Sequence, residues 1–283
     1  MESKEKSLQH ERNLKRLKAL RPIDDDFMRC LFRNNISLTQ DLIDAIFPTE
    51  GLRIRTVETQ ADLKHLTGPR SLCLDILASD ARDKKYNIEI QRSDKGAGAK
   101  RSRYHSGALD VYLLKKKQDF DSLPTTYVIF ITENDYFKQG LSMYHIERMI
   151  RETNEPFNDE AHIIYVNGQY RGSDALGGLM HDFSCSDWRD MKNKTLAEAT
   201  RELKETEKGV DTMCRILEEM CNEARAEGRA EGMAKGIEME RRNTVFRMFK
   251  RGDDYQSIID LTNVPYETID EWYKEYIAQT NQK

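Results

Sequence analysis

Two acids stand on either side of a short polar turn, Asp75 in "CLDIL" and Glu89 in "YNIEIQ". A buried strand seldom carries a carboxylate, and two that face each other suit few tasks besides holding a cation or sharing a proton. The flanking runs alternate with period two, as strands do. Leu72, Leu74 and Ile76 share one face, and Cys73, Asp75 and Leu77 the other. In the second run Tyr86, Ile88 and Ile90 share a face, opposed by Asn87, Glu89 and Gln91. Between them "SDARDKK" has the composition of a hairpin loop. A hairpin symmetric about Arg82 sets position 75 across from 89, 73 from 91 and 76 from 88. The two acidic side chains then start about 5 Å apart, where like charges across a sheet are destabilising. At an effective dielectric of about 20 they repel by roughly 3 kcal/mol. A shared proton, a nearby Lys or Arg, or a divalent cation would offset that cost. The same residues also allow one acid at a solvated sheet edge, or a register shifted by one or two positions.

Charge along the chain is segregated around these acids. Residues 84–117 hold ten Lys/Arg against three acids, whereas residues 198–240 hold twelve Asp/Glu against seven Lys/Arg. A basic stretch beside an acidic pair is the electrostatic footprint of a polyanion binder such as a nucleic-acid protein, or else a solvated helix face. The whole chain of 283 residues has a net charge of -4, 33 % charged residues and a mean hydropathy of -0.76. Its notable apolar run, "YVIFI" at 127–131, is far too short to span a bilayer. The first twenty residues are charged, with no apolar core for a signal peptide, and the reading is a cytoplasmic protein. The five cysteines form no CxxC pair, and Cys214 and Cys221 read as packing residues of a helix. None of the six histidines shows metal-ligand spacing, so zinc chemistry is not expected.

The elements that must position the acids can be read in order. After a basic tail over 1–20, "PIDDDFMRCLFRN" predicts a short helix begun by acids. "SLTQDLIDAIF" predicts a second, with Ser37 and Gln40 as a capping box. "LRIRTVETQ" is a strand, then comes the hairpin at 71–78 and 86–92. "AKRSRYHSGALDVYLLKKK" has Tyr104, Ala108 and Val111 at amphipathic helix spacing. "TTYVIFIT" is a continuous apolar strand, the kind buried on both faces. Further strands are expected in "SMYHIERM" and "HIIYVNG", and a closing helix in "DALGGLMHDF". From about 190 the composition turns to long acidic helix. Gly228, Gly232 and Gly236 recur there at four-residue intervals, each costing about 1 kcal/mol against Ala, which predicts a frayed or interrupted linker over 191–244. The last segment, 245–283, predicts a helix stopped at Gly252, a helix around Ile258, a "TNVP" turn and a helix holding Ile269, Trp272 and Tyr273. That pair resembles a helix-turn-helix. Its second helix is acidic, which favours oligomerisation or docking over DNA reading.

The order helix, three strands, helix, strand around Asp75 and Glu89 resembles the PD-(D/E)XK nuclease superfamily, with its αβββαβ core. More narrowly it is similar to the Rpn family, recombination-promoting nucleases also described as transposases. "PIDDDFMRCLF", "LDILASD…YNIEIQRS", "KRSRYHSGAL" and "LMHDFSCSDWRDM" carry the likeness over about residues 21–195. Two departures stand out. Leu74, not Pro, precedes Asp75, and Gln91 stands where the superfamily has Lys; the Rpn family itself resembles E-x-Q.

The resemblance implies an α/β fold: a PD-(D/E)XK-like core with a mixed sheet flanked by helices over 21–190, followed by an α-helical extension. It implies a metal-dependent DNA endonuclease that supports recombination or transposition. Asp75, Glu89 and the Ile90 carbonyl would hold Mg²⁺, with Mn²⁺ or Ca²⁺ compatible with the same oxygen ligands. Gln91 could hydrogen-bond the attacking water but not take its proton. Asp25 is a further catalytic candidate or simply a helix-capping acid. Arg92, Lys100, Arg101, Arg103 and Tyr104 would grip DNA phosphates, Tyr104 being equally readable as core. The alternative function is a weak or inactive DNA-binding or assembly protein that keeps the nuclease fold. The apolar residues of the C-terminal module, from Val245 to Tyr273, imply packing together, against the core or against a second copy, and hence a homo-oligomer.

Overall fold

The register of the acidic hairpin is set at its turn. A computed structural model describes residues 2–48, 51–62, 73–92 and 94–280. Leu72 lies outside them, as does the side chain of Cys221. In the turn, the Asp80 carboxylate accepts from the Arg82 and Lys84 amides at 2.9 Å each, and Asp83 takes a left-handed φ of 65°. This side-chain-to-backbone closure is what makes Asp a turn residue. It joins β2 (Cys73–Asp80) to β3 (Lys85–Gln91) with Ile76 opposite Ile88, Leu77 opposite Asn87 and Ala78 opposite Tyr86. The symmetry about Arg82 therefore holds.

The elements before the hairpin are α1 (Glu2–Ala19), α2 (Asp25–Phe32), α3 (Ile36–Ile46) and β1 (Ile54–Asp62). After it come α4 (Ala99–Leu113), β4 (Thr126–Thr132), β5 (Met143–Ile146), β6 (Met149–Ile150), β7 (Glu155–Pro156), β8 (Ala161–Asn167) and α5 (Ala175–Phe183). The basic tail is thus helical, with Leu17 buried. A six-stranded mixed sheet runs β1-β2-β3-β4-β8-β5. β1, β2 and β3 form an antiparallel meander, β3, β4 and β8 are parallel, and β5 is an antiparallel edge. All seven residues of β4 are buried, as a central strand covered on both faces requires. The αβββαβ order is α3, β1, β2, β3, α4, β4.

Side chains on the two faces have different partners. Tyr86 and Tyr127 stack with centroids 5.1 Å apart, and Phe47, at the end of α3, meets both edge-on. Opposite them Val128, Phe130 and Tyr165 cluster with Ala97, whose carbonyl accepts from the Tyr165 hydroxyl at 2.7 Å. α4 packs on β4, and His105 meets Phe130 edge-on at 5.7 Å.

Two local expectations change. Asn35, not Ser37, caps α3 by accepting from the Leu38 amide at 3.0 Å. Gln40 instead bridges out of the helix, donating to the Leu52 carbonyl and accepting from the Ile54 amide, both at 2.8 Å. A tertiary bridge to β1 has displaced a local box. In α4, Tyr104 and Val111 are exposed, and the buried face is Ser102, His105, Ser106, Ala108 and Leu109. Polar side chains turn inward there because polar strand residues meet them.

The chain divides into two compact units, 1–214 and 215–283. The first unit thus runs past the composition break at 190. α6 (Lys194–Glu205) belongs to it, with Leu196 and Thr200 fully buried and contacts to α2 and α3. The Lys204 ammonium donates to the carbonyls of Lys18, Leu20 and Ser186 and lies 5.0 Å from the Phe27 ring. Burial depresses its pKa to about 8 despite Asp187 and Asp24 nearby.

α7 (Glu207–Arg251) is continuous through Gly228, Gly232 and Gly236, where interruption was expected. The glycines are separated by Ala, Glu, Arg, Met and Lys, strong helix formers that offset an isolated cost of about 1 kcal/mol each. α7 ends at Gly252, whose φ of 90° suits a residue without Cβ. In the second unit α8 (Tyr255–Thr262) and α9 (Tyr266–Thr280) follow. Asn263 caps α8 in the left-handed region. Val245, Met248, Ile258, Val264, Ile269 and Trp272 form the unit's own buried core. Most of the apolar stripe is therefore satisfied within one chain.

Candidate active site

Beyond the Ile76–Ile88 pair, side chains take over from the β2–β3 ladder. The Asp75 amide donates to Glu89 Oε1 and the Ile90 amide donates to Asp75 Oδ2, both at 3.3 Å. The acids are thus interlocked, and both are buried, at 7 % and 1 % exposure. Such an arrangement is costly for two negative charges, and the structure shows what offsets it. Arg29 of α2 reaches within 3.5 Å of Asp75 Oδ1, and Arg101 of α4 within 3.6 Å of Glu89 Oε2. His105 Nδ1 lies 3.4 Å from Glu89 Oε1. Compensation is incomplete. Burial, then the charge of Glu89, pushes the Asp75 carboxyl up to about 7, although Arg29 and the Ile90 amide pull it down. Glu89 Oε2 is buried with no hydrogen-bond partner.

Supporting residues hold the pair from behind. The Asn87 side-chain amide lies 3.1 Å from His105 Nδ1, and Arg101 Nε donates to His105 Nε2 at 3.2 Å. Arg29, Asn87 and His105 escaped the sequence reading. A usable signal existed for two of them: Asn87 is a polar residue on the Glu89 face of a buried strand, and His105 is one turn after Arg101. Arg29 had none, since it stands 46 positions before Asp75 in the chain.

The other expected residues are placed as follows. Asp25 is half exposed and pairs with Arg29 at 3.1 Å, so that Arg29 links it to Asp75. Gln91 is partly buried, and its amide oxygen lies where a Cβ on Gly96 would sit, at 1.9 Å. Gly96 therefore makes room for the Gln91 side chain. Lys100, Arg101, Arg103 and Tyr104 all lie exposed on α4. Arg92 is exposed but pairs with Asp24 at 3.2 Å and Glu133 at 3.5 Å, acids that also hold Arg21.

The αβββαβ order is the one the resemblance implied, and the hairpin that carries both acids lies within it. A family model described as PD-(D/E)XK nuclease family transposase matches residues 29–235. The chain belongs to that family. No curated protein and no solved structure matches it. Within the PD-(D/E)XK nuclease transposase family match fall Arg29, both carboxylates, the whole of α4, and α5 and α6. Asp25 lies before it. Among the described residues no helix is long and apolar enough to cross a membrane.

The donor set suits a hard divalent cation: two buried carboxylates, one oxygen of which has no hydrogen-bond partner and only the Arg101 guanidinium 3.6 Å away. His181 and Cys185, four residues apart at the end of α5, come together with Asp182 into a group of possible metal ligands.

Proposed function

We propose that this chain is a divalent-metal-dependent endonuclease acting on DNA, in support of recombination or transposition. The observation that carries the reading is the interlocked, buried Asp75–Glu89 pair, with a Glu89 oxygen that accepts no hydrogen bond. Asp75, Glu89 and the Ile90 carbonyl would hold the cation, Mg²⁺ above all, the Ile90 amide already being directed at Asp75. When bound, that cation supplies a more acidic water and stabilises charge on the scissile phosphate. The protein's own groups do the rest. His105 and Asn87 keep Glu89 oriented, and Arg29 keeps Asp75 oriented. Gln91, held against Gly96, can orient a water through its amide but cannot accept its proton, so the proton must leave to solvent or phosphate. Arg101 lies 3.6 Å from Glu89 and is 46 % exposed, which suits it to reach a phosphate at the carboxylates. Lys100, Arg103 and Tyr104 extend that cationic surface along α4, and Arg92 would join it only by leaving Asp24 and Glu133. Met233, Ile237, Met239 and Leu261, exposed in the second unit, support self-association through the C-terminal region.

Gln91 in place of Lys favours the second reading, a DNA-binding or assembly protein with little or no cleavage. Purified protein separates the two. The first requires nicking of supercoiled plasmid that depends on Mg²⁺ and stops with EDTA. DNA binding with no nicking under any divalent cation would leave the second. A further expected result concerns α4. Replacing Arg101 and Arg103 together by Gln should weaken binding to all sequences alike and flatten the salt dependence by about two phosphate contacts. An unchanged salt slope would place both on an ordinary solvated face.

A further inference from the structure

We propose that His181, Asp182 and Cys185 form a second metal site, suited to a borderline-soft cation of the Zn²⁺ class and independent of the carboxylate pair. The three ligand atoms lie within 4.8 Å of one another. Cys185 Sγ is 3.7 Å from His181 Nδ1, and that nitrogen is 2.9 Å from Asp182 Oδ1. Bonds of about 2.3 Å to sulfur and about 2.0–2.1 Å to nitrogen or oxygen give a tetrahedron an S···N edge of about 3.6 Å and an N···O edge of about 3.3 Å. Both observed edges are within about half an ångström of those values.

One of the three ligands is held by bonds that leave its ligating atom unspent. Asp182 is fully buried, and its Oδ2 accepts from the Lys192 and Asn193 amides at 2.8 and 2.7 Å. Its Oδ1 is thereby turned to the imidazole. The Cys185 thiol, drawn back over the last turn of α5, donates to the His181 carbonyl at 3.4 Å, a proton that ligation would release. Backbone support of this kind orients a ligating carboxylate as outer partners do in metal proteins. The donor chemistry decides the class of ion. A thiolate and an imidazole select zinc-like cations over Mg²⁺, which takes oxygen ligands. The fourth corner faces outward, since the His181 side chain is 33 % exposed, and water would complete it.

The position gives such an ion a structural task. Through Asp182 it would tie the end of α5 to Lys192 and Asn193, the start of α6. Asn193 caps α6 through the Leu196 amide and donates to Asp41 of α3 at 2.9 Å. The cation would therefore clamp three helices of the first unit, and it touches neither Asp75 nor Glu89.

The test uses the full chain, stripped of metal with a chelator and titrated with Co²⁺ as a spectroscopic stand-in for Zn²⁺. One equivalent should give a thiolate-to-cobalt charge-transfer band and the strong visible bands of four-coordination, both removed by Zn²⁺. Cys185→Ser, nearly isosteric, should lose the charge-transfer band, while Asp75→Ala should keep it. One equivalent of Zn²⁺ should raise the melting temperature of the parent chain but not of Cys185→Ser. If Cys185→Ser proves unfolded by circular dichroism, His181→Asn serves in its place, with loss of four-coordinate bands as the readout. Absence of the charge-transfer band in the parent chain, or its persistence in a folded Cys185→Ser variant, overturns the proposal.

Discussion

Asp75→Asn should abolish metal-dependent nicking and, in EDTA at pH 8, make the protein more stable. The second half of that result follows from linkage. Burial and Glu89 raise the folded-state pKa of Asp75 to about 7, above the ordinary value of 3.8. Below pH 4 the carboxyl is protonated in both folded and unfolded chains and carries no penalty. Between pH 4 and 7 the folded chain holds a proton that the unfolded chain has lost, so stability falls as pH rises, by about 1.4 kcal/mol per unit. Above pH 7 the loss levels off at roughly 4 kcal/mol. Asn does not titrate, so its advantage should be near zero at pH 4 and grow to a plateau above pH 7. Lost attraction to Arg29 will trim it. Thermal melts across this range, paired with plasmid nicking, check both halves. An Asn variant less stable than the parent at every pH would mean that Arg29 overcompensates Asp75, and the two acids would be an ordinary ion-pair network. Retained nicking in Asp75→Asn and in Glu89→Gln would remove them from the chemistry.

Ending the chain at residue 190 should unfold the nuclease core, whereas ending it at 214 should leave a folded unit that still nicks DNA. The shorter chain loses buried Leu196 and Thr200 and the three carbonyl bonds of Lys204. It also loses the Asn193 bond to Asp41. Deleting a single buried Leu side chain costs about 2–5 kcal/mol, and a domain has only about 5–15 kcal/mol to lose. Circular dichroism melts and limited proteolysis of the two truncations give the answer. A cooperative melt from the chain ending at 190 would return the boundary to the composition break.

Much of this site was legible without coordinates, because local forces govern it. Alternation of apolar residues marked β2 and β3, and turn chemistry at Asp80 and Asp83 makes their hairpin symmetric, so Asp75 faces Glu89 as the spacing implied. The order α3, β1, β2, β3, α4, β4 was readable for the same reason: each element carries its own periodicity. Composition misled where tertiary contacts overrode it. The change at 190 is a change of surface charge, yet α6 buries Leu196 against the core. The apolar count in α4 pointed to Tyr104 and Val111, while the face that turns inward carries His105, because Asn87 and Glu89 offer it polar partners.

Sequence by itself determined the strand pattern, the place of both acids within it and the basic stretch beside them, since these depend on residues near one another in the chain. Only the tertiary structure decided which side chains stabilise those acids. Arg29 and His105 reach them from two separate helices, and a contact set by the packing of helices on a sheet leaves no period to read. It likewise decided how the Asp182 carboxylate beside His181 and Cys185 is turned. There a carboxylate is held by the amides of Lys192 and Asn193, ten and eleven residues on, and those bonds exist only once α5 and α6 are docked.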